Sequence, residues 1–427
     1  MISKSPFLHV YLSDGNPVYF HSLTLELYGS PGDCPTGDEE EELVSRLRAR
    51  TRENRGIVMV CLFLTTRCSR SCGYCFLQGV PERDMTGTEI SSGMRLIGNK
   101  PADLLLYGGE PFLRQDLVRL AVLGARNSGA VINISAATGG VPVDRSLCSE
   151  LAEENAFIIV SIDGPPEVHN RIRPLKQGGS SFKAAEQAFH AFKDAGCRVG
   201  ISVTVTQGNL STVRNDFVWL MENFNPDDMG LNPWLHPLKG GVPNQHQAAG
   251  SDIFKAIADC METAIDRSMY IEQLARRVRP FTSRTPRLKD CASSGGRLVL
   301  VPGGIAGACD CMTVCGDHGV PIENTDAVSG LLNNFRDLSP LNFSSCHRCP
   351  ALALCGGGCR YDALHASGSI RGIREDRCTF EREFLEWMIR RTIRSGRESL
   401  VPAGGFLGKA VPMPLGTMIG EESVGCE

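Results

Sequence analysis

The chain has 427 residues, 22% of them charged, and a net charge of −4, which excludes a basic nucleic-acid track and suits one large domain plus a smaller one. No apolar run reaches the roughly 18 residues of a membrane span. The start, MISKSPFLHVYLSDG, lacks the apolar core and cleavage site of a signal peptide. A soluble cytoplasmic monomer is expected, with neither nucleic acid nor membrane as partner. Eighteen cysteines stand out, three of them within residues 68–75 and nine within 291–378. That clustering, without an export signal, argues for metal ligation in a reducing compartment over a disulfide framework.

Residues 1–55 form a first segment. FLHVYLSDGNPVYFHSLTLEL reads as two strands about the turn Ser13-Asp14-Gly15-Asn16. A polar linker and a short charged helix from Glu40 to Arg50 follow. Residues 56–240 then alternate apolar strands with amphipathic helices. The strands are expected at 57–64, 103–108, 130–137, 157–163, 198–206 and 229–238. The helix FKAAEQAFHAFKDAG at 182–196 shows apolar residues at helical spacing and a terminal glycine. Six β-then-α units imply an α/β fold, a partial (β/α)6, TIM-like barrel with its chemistry at the C-terminal strand ends. Residues 241–290 read as a helical bridge. Residues 291–380 are cysteine- and glycine-rich with little periodicity, a segment that metal centres can hold in place of an apolar core. Residues 381–427 give a last helix and a Gly/Pro-rich tail.

Strand 57–64 runs into TTRCSRSCGYCF, with Cys68, Cys72 and Cys75 at x3 and x2 spacing. Three thiolates on one short loop reach three corners of a cubic [4Fe–4S] cluster and leave one iron for a chelating small molecule. Structural zinc, which prefers four closed ligands, is the alternative. The second strand ends in Tyr107-Gly108-Gly109-Glu110-Pro111. Paired glycines permit close backbone approach, and Glu110 can accept from an ammonium group. The fourth strand ends in Ser161-Ile162-Asp163-Gly164, followed by HNRIRP, where Arg173 can pair with a carboxylate.

These motifs resemble the radical S-adenosylmethionine (SAM) superfamily. The resemblance implies that Cys68, Cys72 and Cys75 bind a [4Fe–4S] cluster whose open iron is chelated by SAM. It implies one-electron cleavage of SAM to a 5′-deoxyadenosyl radical that takes a hydrogen atom from substrate. It places Tyr74 and Phe76 at the adenine, Gly108, Gly109 and Glu110 at the methionyl amine, and Ser161 and Arg173 at the ribose or carboxylate. Where the family often has Thr-Asn-Gly, this chain has Thr138-Gly139-Gly140.

The second cysteine group reads Cys291-x12-Gly304-x4-Cys309, then Cys346-x2-Cys349-x5-Cys355-x3-Cys359, then Cys378. The four central cysteines alone suit zinc as well. All seven together resemble the SPASM extension of radical SAM enzymes. The resemblance assigns Cys291, Cys309 and Cys359 to one auxiliary [4Fe–4S] cluster and Cys346, Cys349, Cys355 and Cys378 to another, making three clusters with SAM as the further cofactor. The first auxiliary set lacks a fourth ligand, for which Cys311 and Cys315 are the local candidates; the alternatives are an open iron that takes a substrate thiol, or free thiols packed nearby. Cys61, Cys148, Cys197 and Cys260 read as small buried hydrophobes, and Cys34 and Cys426 carry no assignment. Asp310 follows Cys309, where sulfatase-maturing relatives place a base; the alternative is a hydrogen-bonding residue in a turn. Relatives of this architecture mostly modify peptides. The resemblance therefore implies a maturase of ribosomally made precursor peptides that forms a thioether or carbon–carbon crosslink, fed by an electron donor such as flavodoxin or ferredoxin. A sulfatase-type maturase and a non-enzymatic iron–sulfur or zinc scaffold are the alternatives. The segment 1–55 is a candidate docking module for a leader peptide, or a cap on the barrel.

Overall fold

The computed structural model describes residues 5–53, 56–233, 248–269 and 271–401. The N-terminal segment holds β1 (Leu8–Ser13), β2 (Asn16–His21), β3 (Glu26–Tyr28) and α1 (Asp38–Arg52). Asp14 and Gly15 carry φ of 50° and 80°, the left-handed pair that a two-residue hairpin turn demands. The sheet has three antiparallel strands in the order β1-β2-β3, one more than the sequence suggested, because the three-residue β3 is too short to show alternation.

The barrel follows as β4 (Met59–Thr65), α2 (Gly87–Ile97), β5 (Ala102–Gly108), α3 (Gln115–Ser128), β6 (Val131–Thr138), α4 (Arg145–Glu153), β7 (Phe157–Ser161), α5 (Pro166–Ile172), α6 (Ser181–Asp194), β8 (Arg198–Val205), α7 (Val213–Phe224) and β9 (Asp228–Pro233). The expected end of the last strand, 234–238, lies outside the described residues, as do residues 402–427 with Cys426. All six expected strands form, and each pairs in parallel with its sequence neighbour. In the barrel, side chains cap α2 and α6, the latter through Ser180, which accepts from Lys183 N. Thr86 and Glu89 close a reciprocal capping box on α2, worth about 1 kcal/mol.

The bridge is two helices, α8 (Gly250–Asp266) and α9 (Glu272–Ser283). Ser268 at φ 53° breaks the stretch, and Ile271 bridges to Met229 of β9. Beyond it lie β10 (Arg297–Val301), β11 (Ile305–Gly307), α10 (Asp310–Cys315), β12 (Val320–Pro321), α11 (Thr325–Arg336), α12 (Leu352–Cys355), α13 (Arg360–Ser367) and α14 (Glu375–Ser395). These elements form although the sequence of the segment shows little periodicity. β10 pairs in parallel with β4, matching Val299 to Cys61 and Leu300 to Leu62. The large sheet thus runs β12-β11-β10-β4-β5-β6-β7-β8-β9. The cysteine-rich segment extends the barrel sheet on the strand that leads to Cys68.

Strands buried on both faces read as unbroken apolar runs, and MVCLFLT of β4 is buried throughout. Val60, Leu62 and Leu64 join the main core with Ile90 and Met94 of α2. The opposite face, Cys61 and Phe63 with Leu105, Val299 and Val301, forms a separate cluster inside the barrel that meets Phe76 and Tyr107. Cys61, Cys148, Cys197 and Cys260 are all buried. The N-terminal unit leans on the C-terminal half. Arg48 Nη2 donates to the Leu341 carbonyl at 3.0 Å, Arg397 Nη2 donates to that of Leu25 at 2.7 Å, and Arg284 pairs with Glu26 at 3.0 Å.

Candidate functional site

Cys68, Cys72 and Cys75 occupy the loop that leaves the C-terminal end of β4. Backbone bonds fix it. Ser71 N donates to Pro174 O at 2.9 Å, Lys176 N to Ser69 O at 2.9 Å, and Cys75 N to Cys72 O at 3.1 Å. Gly109 N reaches Thr65 O and Glu110 N reaches Arg67 O, both at 2.8 Å. The glycine pair is needed for this approach. Gly108 has φ 151°, and a Cβ there would stand 2.5 Å from Thr65 O; one on Gly109 would strike Arg67 O. In this structure the close approach is to the cysteine loop itself.

Glu110 is fully buried. Its Oε1 accepts from Thr138 Oγ1 at 2.7 Å and from Phe112 N at 3.3 Å, and its Oε2 accepts from Gly139 N at 2.8 Å. Burial pushes its carboxyl up, opposed by Arg70 and these donors. Arg70, inside the cysteine loop, was not singled out in the sequence. Its Nη1 lies 3.7 Å from Glu110 Oε2, and its Nη2 donates to the carbonyls of Gly139 and Gly140. Thr138-Gly139-Gly140, where the chain departs from the family's usual triplet, is therefore the hinge joining β5, β6 and the cysteine loop.

Arg173 is buried and holds Asp163 through two bonds, Nε to Oδ2 at 2.6 Å and Nη2 to Oδ1 at 3.1 Å, and it donates to Thr204 Oγ1 at 2.9 Å. Its guanidinium stands 5.5 Å from the centre of the Tyr74 ring. Ser161 closes β7 beside this pair, in register with Ser202. Phe76 meets Phe63 edge-on at 6.4 Å. Arg173, Tyr74 and the three cysteines thus share one end of the barrel. The His169 imidazole, whose Nδ1 accepts from Asp163 N at 3.3 Å, is held neutral by burial, its pKa lowered to about 3.

Cys346, Cys349, Cys355 and Cys378 line one cavity with Arg374, Arg377 and Glu381. Below it lies a buried charge network. Arg277 Nε donates to Glu381 at 2.8 Å, Arg377 reaches Glu381 at 3.1 Å, and Arg287 reaches Asp290 at 3.0 Å. Cys359 lines the same cavity, and it is also in the electrostatic reach of Cys291 and Cys309, as Cys311 is of Cys309. Arg297, at the start of β10, pairs with Asp310 at 2.9 Å and lies beside Cys291 and Cys309. Asp310 is thus ion-paired. Tyr107, half-buried, sits near both Cys75 and Cys311.

The donor sets fit iron–sulfur groups. Burial pushes the thiols of Cys72 and Cys378 up to about 12, so a strong local cation is needed to ionise them. Arg70 Nε and Nη1, buried, make no hydrogen bond, which suits an anionic occupant beside the loop. Among the described residues no three His, Cys, Asp or Glu side chains converge as one metal ion requires.

Residues 62–216, from within β4 into α7, match the radical SAM superfamily. The chain carries a radical SAM domain. The radical SAM cyclopropyl synthase TigE of Paramaledivibacter caminithermalis is 21% identical over 372 residues, 80% of this chain and 76% of its own. A cysteine-type anaerobic sulfatase-maturating enzyme of Clostridium perfringens is 25% identical over 169 residues, 36% of this chain and 46% of its own. The solved structure of native anSMEcpe with bound AdoMet and Kp18Cys peptide superposes with a TM-score of 0.69 at 20% identity, over 80% of this chain and 99% of that one, which shows a shared fold. A radical SAM domain implies a SAM-bound [4Fe–4S] cluster, which Cys68, Cys72 and Cys75, on the loop that leaves β4, would hold. No helix among the described residues is long and apolar enough to cross a membrane.

Proposed function

We propose that this radical SAM enzyme is a peptide maturase that takes a hydrogen atom from a residue of a ribosomally made precursor and closes a thioether or carbon–carbon crosslink. The observation that supports this reading most is a cavity lined by Cys346, Cys349, Cys355, Cys359 and Cys378, in a segment whose β10 joins the strand that leads to the Cys68 loop. Relatives that act on or bind peptides support it. When bound, SAM and its cluster supply a carbon radical for hydrogen abstraction. The chain's own residues position that chemistry. Glu110 and Arg70 hold the cysteine loop against β5 and β6, and Arg173 on Asp163 backs the Tyr74 ring. Cys291, Cys309 and Cys359, and Cys346, Cys349, Cys355 and Cys378, would hold two further [4Fe–4S] clusters, which would supply electron acceptors near the substrate, and the electron donor would be a flavodoxin or ferredoxin.

The test is anaerobic turnover of precursor peptides with SAM and a reductant, read by mass spectrometry. The expected product has lost two hydrogens and resists fragmentation across the linked residues. A hydrazide-trapped aldehyde in their place supports the second reading, sulfatase-type oxidation of a cysteine or serine to formylglycine. That reading is favoured by Asp310 after Cys309, with Asp310 as base, but the Arg297 pair would have to open first. SAM left uncleaved by reduced, iron-loaded protein would leave only a scaffold.

A leader peptide adds to the outer edge of β1, where Val10 and Leu12 are 50% and 69% exposed. Lysine at both positions is expected to weaken precursor affinity and leave SAM cleavage without peptide unchanged. Equal affinity would remove the docking role.

A further inference from the structure

Arg70 lies between Cys68 and Cys72 in the sequence, and its side chain is 2% exposed. We propose that Arg70 is a positioning residue for the electron step: its guanidinium, a fixed positive charge, offsets Glu110 beside the cysteine loop and raises the potential at which the first cluster is reduced. The inference rests on a cluster held by Cys68, Cys72 and Cys75, and it is independent of which peptide chemistry follows.

The fold clears a place for this cation. Gly139, unlike Gly108 and Gly140, has no positive φ, so its backbone conformation does not call for glycine. Space does. A Cβ on Gly139 would stand 2.6 Å from Arg70 Nη1 and 2.8 Å from Cζ. Gly140 cannot yield, because a Cβ there would stand 2.4 Å from the Ala185 Cα of α6. The carbonyls of both glycines accept from Arg70 Nη2, that of Gly140 at 2.8 Å. The Arg70 backbone bridges to Leu175. The guanidinium is thus pinned between the cysteine loop and the end of β6, and Arg70 and Gly139 are a matched pair.

The direction of its effect follows from charge. Glu110 is fully buried, and among the described residues Arg70 is the one cation within 4 Å of it, Nη1 to Oε2 at 3.7 Å. Nη1 makes no hydrogen bond, so what it supplies is charge. Reduction moves one electron from the donor to a 2+ cluster, which becomes 1+ with no bond made or broken. A buried carboxylate opposes that added negative charge, and a buried guanidinium favours it. The Arg70 backbone N–H also donates to Cys68 Sγ at 3.4 Å, and a hydrogen bond to a ligand sulfur acts in the same direction.

The experiment reads the midpoint potential of the first cluster by electron spin resonance during anaerobic redox titration of the iron-loaded full chain. Its signal is the one missing from Cys72→Ala. Arg70→Gln, which keeps amide donors and loses the charge, is expected to lower the potential at an unchanged iron count. Arg70→Lys, which keeps the charge, is expected to stay at the wild-type value. Glu110→Gln, which removes the opposing charge, is expected to raise it. An unchanged potential in Arg70→Gln overturns the inference. So does an equal fall in Arg70→Lys, which would put shape rather than charge at work. If Arg70→Gln fails to hold the cluster, Glu110→Gln decides, and a potential at or below the wild-type value overturns the inference. The pairing is read from the unfolding midpoint. Gly139→Ala is expected to lower it in the wild type and much less in an Arg70→Gln background; an equal fall in both overturns the matched pair. No Cys72-dependent signal in the wild type removes the first cluster, and the radical reading falls with it.

Discussion

The two thiol-bearing regions are built on opposite plans. The Cys68 loop is short and stands on finished scaffold. Strand ends, paired glycines and the buried Glu110 fix its backbone. The region from Cys291 to Cys378 is long and loop-rich. Its interior combines buried apolar side chains such as Leu341, Phe343, Leu352 and Leu354 with thiols and paired charges, with Arg277, Arg377 and Arg287 facing Glu381 and Asp290. The difference teaches what shapes each site. The loop takes its shape from the barrel around it, while the second region takes its shape from its own apolar side chains and buried ion pairs.

The largest effect should come from the loop. Cys72→Ala is expected to drop SAM cleavage to background while far-UV dichroism and the unfolding midpoint stay at wild-type values. A large fall in midpoint would mean that the loop depends on its cluster for structure. Next comes the charge network. Arg277→Ala leaves the buried Glu381 carboxylate with Arg377 alone and should cost about 1.5–3 kcal/mol of stability, read by denaturant titration. SAM cleavage below the midpoint should persist. If stability is unchanged, the second region does not lean on its ion pairs, and the contrast fails. The smallest effect concerns acid. The folded His169 imidazole has its pKa lowered to about 3 from an ordinary 6.5. The unfolded chain therefore binds that proton first as pH falls. Stability from this group is present above about 6.5 and is lost progressively toward 3. His169→Asn, which keeps an acceptor for Asp163 N, should flatten the fall in thermal midpoint over that window; an unchanged slope would show that other groups set it.

The barrel was legible because βα alternation repeats six times with clean periods, and Phe182 to Phe192 of α6 announce a helix face. β10 was not. RLVLV is five residues, fully buried, and flanked by glycines, so neither alternation nor length marked it. Its partner β4 lies more than two hundred residues earlier, which no local pattern reports. The thiol sets were visible because ligand spacing is written in sequence. The partners of Glu110 and Arg173 were not, because a carboxylate or guanidinium in a motif looks the same whether it faces a ligand or another side chain. Arg277 and Glu381, 104 residues apart, carry no mark of each other. Arg70 was hidden among loop residues whose cysteines took all the meaning.

The parallel seam between β10 and β4 bears on separability. A chain cut near residue 290 would bare the backbone edge of β4, the strand that delivers Cys68, as an open template for other strands. The catalytic barrel is therefore not a detachable part with an accessory attached. To shorten this protein to its family core would be to expose the edge on which its chemistry is mounted.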